Sequence, residues 1–154
     1  MIPETKHTPL NILLADDDVD DRFFFDKALK ELPIDCHLKT VSNGEELMDY
    51  LLKLSSRLPD ILFLDLSMPR KTGFECLIEI KENQHLQNLY IVMFTTSFTR
   101  GLEYEQNLIY TLSNMGAQDY IRKPGDFEQF KKVIHQSLIK LMEIKSGKLT
   151  PIIS

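Results

Sequence analysis

The 154-residue chain has only two cysteines, and neither Cys36 nor Cys76 belongs to a C-x-x-C or Cys/His ligand spacing. A zinc-type site therefore has no ligand set, and two isolated cysteines suit reduced thiols in a cytosolic protein. None of His7, His37, His85 and His135 has a metal-ligand or catalytic neighbour in sequence, so all four are expected at the surface. A basic excess is missing as well. The chain carries 18 Lys and Arg against 23 Asp and Glu, a net charge of −5, which argues against general nucleic-acid binding. No apolar run approaches the length that spans a bilayer. The first residues, "MIPETKHTPL", lack the apolar core of a signal peptide. Low-complexity tracts, linkers and internal repeats are absent too. These absences predict one globular, cytoplasmic domain without membrane insertion, large enough to bury a real core.

What the chain does have is a concentration of aspartate in an unexpected place. "NILLADDDVDD", Asn11 to Asp21, runs a buried-looking strand straight into five aspartates within six residues. Asp18, Asp20 and Asp21 suit the first turn of a helix, where the macrodipole favours negative charge. Asp16 and Asp17 need another explanation. Two carboxylates about 5 Å apart repel by ~3 kcal/mol at an effective dielectric near 20. A third nearby makes the cluster a poor choice for structure alone, so a cation is expected there.

Apolar runs and helical periodicities alternate five times. Strands are expected at Leu10–Ala15, His37–Val41, the "DILFLDL" run, the "LYIVMFTT" run and "DYIRKP". Helices are expected at Asp20–Leu32, Glu45–Leu54, Phe74–Lys81, Leu102–Met115 and Asp126–Lys145, with Gly116 as a helix stop. On the first helix, Phe24, Phe25, Ala28, Leu29 and Leu32 mark the buried face, leaving Phe23 and Val19 exposed together. Near-continuous apolar strands alternating with helices predict an α/β fold of three layers, a doubly wound five-stranded parallel sheet with five helices. Residues 1–9 read as a tail, 10–142 as the domain, and 143–154 as a helix end and tail. Asp16, Asp17, Asp65, Thr95, Thr96 and Lys123 all fall at carboxyl ends of strands, where such sheets bind ligands. Three carboxylates, hydroxyls and a lysine suit Mg²⁺ and a phosphoryl group.

"ADDD", "DILFLDLSMPRKTG", "MFTTS" and "DYIRKP" occur in the order found in receiver domains of two-component response regulators. The resemblance covers about residues 11–142 and is closest to stand-alone, chemotaxis-regulator-like members. It implies a flavodoxin-like strand order 2-1-3-4-5 and a phosphoacceptor at Asp65. It implies Mg²⁺ on Asp16, Asp17, Asp65 and the backbone carbonyl of Ser67. Thr95 is implied as the switch hydroxyl, with Thr96 beside it at the phosphoryl site, Tyr120 as the switch aromatic and Lys123 as the phosphoryl clamp. The Lys123–Pro124 peptide is implied to be cis. The phosphoryl donor would be a sensor histidine kinase or histidine phosphotransfer protein, docking over Val19 and Phe23, and an output protein would read the result. A receiver of this kind is a signalling protein, not an enzyme, beyond its own phosphorylation and dephosphorylation. An aspartate-nucleophile phosphatase would want a second acid where Ser67 stands. A flavodoxin-like cofactor binder would want a Gly/Ser/Thr-rich first loop. A phosphorylation-independent pseudo-receiver is the remaining alternative. Two departures from the family pattern stand out: the segment between Thr95 and Tyr120 is longer than usual, and Ser67 replaces an asparagine-like side chain.

Overall fold

The computed structural model describes residues 8–54, 57–96 and 101–147. The outer parts of both expected tails, His7 and the start of the long segment after Thr96 lie outside these residues. Strands β1 (Leu10–Ala15), β2 (Cys36–Val41), β3 (Ile61–Asp65), β4 (Ile91–Thr95) and β5 (Asp119–Arg122) alternate with five helices. These are α1 (Val19–Lys30), α2 (Gly44–Lys53), α3 (Gly73–Glu82), α4 (Leu102–Asn114) and α5 (Phe127–Lys145). All strand pairs are parallel, in the order β2-β1-β3-β4-β5. The order reverses between β1 and β3, and that switch point fixes where a crevice opens.

Side chains alternate across the sheet and build two cores. Ile12, Leu14, Phe63, Val92 and Phe94 face α1 and α5, while Leu13, Ala15, Leu62, Leu64 and Met93 face α2, α3 and α4. On the first side Phe25, Phe63, Phe94 and Phe130 form an edge-to-face cluster, with the Phe25 and Phe63 centroids 4.9 Å apart. Such geometry adds to the area term of aromatic burial. The three central strands are buried on both faces, which is why they read as unbroken apolar runs rather than alternating ones.

The first helix differs from expectation at two positions. Phe24 is 43% exposed and Leu32 only half-buried, whereas Phe25, Ala28 and Leu29 are buried. At about 100° per residue Phe24 and Phe25 cannot share a direction. The sheet and α5 take Phe25, and Phe24 is left at the rim with its ring 6.2 Å from that of Phe127.

Local chemistry holds the helix starts beneath the strand ends. Asp18 caps α1, accepting from the amides of Asp20 and Asp21, and Thr72 with Glu75 forms a reciprocal capping box on α3. Gly116, at φ 103°, closes α4 with its amide donated to the Ser113 carbonyl. Gly73 has a different reason. A Cβ there would stand 2.3 Å from the backbone oxygen of Asp65 and 2.8 Å from Leu66 Cα. We expect Gly73→Ala to cost about 1–3 kcal/mol, because both neighbours are backbone that cannot rotate away. Chemical denaturation checks this, and a loss within error would mean that the β3–α3 loop shifts freely.

Candidate functional site

The carboxyl ends of β1 and β3 are neighbours at the switch point, so the loop after Ala15 and the last residue of β3 meet. Asp16 is fully buried, Asp65 is 4% exposed and Asp17 is exposed. Each of the three offers a carboxylate oxygen, and these oxygens lie within 4.8 Å of one another. Opposite them, Lys123 follows β5 and sends its ammonium back over the sheet. Its Nζ donates to Asp16 Oδ2 (2.7 Å) and Asp21 Oδ2 (2.8 Å), with a longer contact to Asp65 Oδ2 (3.5 Å). The Asp18 amide donates to Asp16 Oδ1 (2.9 Å) and the Ser67 amide to Asp65 Oδ1 (3.1 Å), so both buried carboxylates are oriented at both oxygens. Arg22 donates to the Asp16 carbonyl (2.8 Å), tying α1 to the same loop.

Burial dominates the electrostatics. It pushes the Asp65 carboxyl up to about 7, against the Lys123 charge and with a further push from Asp16. Asp16 is raised for the same first reason, with its hydrogen bond to Lys123 opposing. Burial also works against the Lys123 ammonium. There the hydrogen bonds that the ammonium donates to Asp16 and Asp21, with the charges of Asp16 and Asp65, win, and the pKa stands above the ordinary lysine value. The protein's own groups thus form a buried cation among carboxylates that resist ionising together.

The remaining expected residues line the same rim. Thr95 is buried at the end of β4, its hydroxyl donating to the Thr96 carbonyl (3.0 Å), and Thr96 itself is exposed. The Thr95 and Tyr120 hydroxyls stand 3.4 Å apart, and the Tyr120 hydroxyl donates to Glu105 on α4 (3.2 Å). Val19 and Phe23, the expected docking pair, are 67% and 64% exposed on the first turns of α1. One expectation is corrected. The Lys123–Pro124 peptide is trans, and no peptide among the described residues is cis. An X–Pro bond favours trans by only about 0.5–1 kcal/mol, and Lys123 reaches the carboxylates in that favoured isomer.

Two contacts were not foreseen. Asp21 was expected only as a helix-dipole charge, yet it pairs with Lys123. Glu105 joins the Thr95–Tyr120 pair and also meets Arg122 (3.4 Å). Neither has a sequence signal, since each depends on how a helix is laid across strand ends far away in the chain.

The donor set decides what the cluster can hold. Three carboxylates without nitrogen or sulfur form an all-oxygen set, which suits a hard divalent cation. A family model for the response regulator receiver domain matches residues 12–135. The chain belongs to that family. As a receiver domain it is a response-regulator module of two-component signalling. It is 34% identical to the response regulator Rcp1 of Synechocystis over 98 residues, which are 61% of this chain and 67% of Rcp1. It is 28% identical to the sensor histidine kinase CheAY of Helicobacter pylori over 142 residues, 88% of this chain but 16% of that protein. Among solved structures, the phosphorylated cyanobacterial phytochrome response regulator RcpA superposes with a TM-score of 0.74 at 25% identity, covering 93% of this chain and 98% of RcpA. The Mn²⁺-bound form of Rcp1 gives 0.69 at 26% identity, covering 94% of this chain and 98% of Rcp1. No described helix of this receiver domain is long and apolar enough to cross a membrane.

Proposed function

We propose that this receiver domain takes a phosphoryl group from a phosphohistidine onto Asp65 in an Mg²⁺-dependent reaction, in the cytoplasm, and thereby switches a face that a partner reads. The observation that carries this reading is the convergence of Asp16, Asp65 and Lys123 at adjacent strand ends, with Ser67 and Asp18 amides fixing the carboxylates. Asp65 offers the nucleophilic oxygen. An O–P bond forms as the N–P bond of the donor histidine breaks, and the imidazole, already protonated at its other ring nitrogen, leaves as the neutral base with the N–P electron pair. Lys123 places its charge beside the oxygens of the arriving group, at a buried position where that charge acts strongly. Asp16, Asp17, Asp65 and the Ser67 carbonyl would hold Mg²⁺, which would supply positive charge favouring the ionised carboxylates and the phosphoryl oxygens.

The product is an acyl phosphate, which water cleaves, so the signal decays without a separate enzyme. Thr95 turns its hydroxyl from the Thr96 carbonyl toward the new oxygens, and Tyr120 moves into the space it leaves, with Thr96 lining the site. Because Tyr120 is bonded to Glu105, that rearrangement reaches α4 and the face it shares with β5. The test is incubation with acetyl phosphate, with and without Mg²⁺, read by intact mass. One phosphoryl group should be added, and only with Mg²⁺. No addition under either condition would favour the phosphorylation-independent interaction module.

Docking of the donor falls to Val19 and Phe23 in this reading, an exposed apolar pair at the site's end of α1. Phe23→Ala should slow phosphotransfer from the partner kinase, leave labelling by acetyl phosphate unchanged and shift stability by less than about 0.5 kcal/mol. A loss of several kcal/mol in denaturation would instead make Phe23 part of the core.

A further inference from the structure

The Lys123 ammonium has three N–H donors and three carboxylate neighbours, but those neighbours are not equivalent. Asp16 and Asp65 belong to the group of oxygens that can hold a cation. Asp21 lies outside it, and among the described residues its side chain bonds Lys123, 2.8 Å away, from the first turn of α1. Its side chain is 27% exposed, against 1% for Asp16 and 6% for Asp65, so it stands at the mouth of the site rather than in it. A cation bound among Asp16, Asp17 and Asp65 competes with Lys123 for two of its three partners. The third is untouched.

We infer that Asp21 is a positioning residue for Lys123, holding the ammonium at the rim when Asp16 and Asp65 are engaged elsewhere. The inference rests on the proposed phosphoryl-acceptor role of the site and deepens it. Without Asp21, the lysine in the loaded site has only the phosphoryl oxygens to hold it, and those arrive late. The stem itself is buried, its side chain 7% exposed, and Nζ lies 5.3 Å from the centre of the Phe94 ring, so what Asp21 fixes is the ammonium at the end of that stem. Without that partner the terminal ammonium has no fixed direction before the transfer, and the entropy of ordering it falls on the reaction itself. Asp21 removes that term by keeping the charge where the phosphoryl group will appear.

The test compares Asp21→Asn with Asp20→Asn, which removes the same charge from the same helix turn without touching Lys123. The Mg²⁺-saturated rate of phosphorylation by acetyl phosphate should fall about tenfold in Asp21→Asn, the size of one charge-assisted hydrogen bond. Asp20→Asn should match the parent protein, and Asp21→Glu should recover part of the rate. The second readout needs no phosphorylation. The Lys123 ammonium resonance, followed by ¹H–¹⁵N NMR with Mg²⁺ present, should be protected from exchange in the parent and in Asp20→Asn, and lost in Asp21→Asn. Equal rates and equal protection in the two Asn variants would overturn the inference. If the parent protein is never labelled, the phosphoryl-acceptor reading fails while the NMR comparison still decides whether Asp21 fixes Lys123.

Discussion

Lys123→Met is expected to destabilise the metal-free protein by about 3–5 kcal/mol at pH 8, the range for removing one partner of a buried ion pair. Methionine keeps the volume of the stem, so the loss isolates the charge. The cause is Asp16 and Asp65, which lose their counter-charge in a pocket where burial already holds both carboxyls above their ordinary value. At pH 5 Asp65, whose carboxyl burial holds up to about 7, takes up a proton in the folded state, and the penalty should shrink. Urea denaturation at the two pH values measures this. A loss that is small at pH 8, or equal at both, would mean that Lys123 is not the counter-ion of the cluster.

Asp65→Asn should act in the opposite direction on stability while removing the proposed function. The unfolded chain titrates this carboxyl near 3.8, and the folded protein holds it up to about 7. Between about pH 4 and 7 the unfolded state releases the proton and the folded state keeps it. The stability that protonated Asp65 contributes is therefore complete below the unfolded value, is lost as pH rises through this window, and is gone above the folded value. Asparagine carries no such charge, so its gain over the parent appears only as the pH rises. A shift of this size corresponds to about 4 kcal/mol at most, and lost attraction to Lys123 reduces it to about 2–4 kcal/mol at pH 8. The melting temperature of the metal-free variant should rise by roughly 2–4 °C per kcal/mol, and by almost nothing at pH 4. A variant that melts below the parent at pH 8 would show that the Ser67 and Lys123 contacts outweigh the buried charge.

The fold was legible in this sequence because its signals are local and strong. β3 and β4 are continuous apolar runs, and that pattern fits a strand buried on both faces; Gly116 stops α4 and Asp18 starts α1 by their own chemistry. Asp16, Asp65, Thr95 and Lys123 could be placed on one rim because each directly ends or follows a parallel strand, and parallel strands end on the same side. What could not be read depends on angles between elements. Phe24 was assigned to the core because helical spacing does not say how wide a stripe α5 covers. Asp21 and Glu105 join the site only through the way α1 and α4 cross the strand ends, 102 residues from Lys123 in one case and 15 from Tyr120 in the other. The isomer of the Lys123–Pro124 peptide was carried over from the resemblance, and a difference of a fraction of a kcal/mol between isomers is not something sequence fixes.

The account turns on Asp65 as the acceptor, and reductive trapping measures that most directly. Borohydride reduces an aspartyl phosphate to homoserine, so the protein is loaded from acetyl phosphate with Mg²⁺, reduced, digested and mapped by mass. Homoserine is predicted at position 65 and nowhere else, with none formed in Asp65→Asn. Homoserine at another aspartate, or undiminished phosphoryl incorporation into Asp65→Asn, would contradict the account.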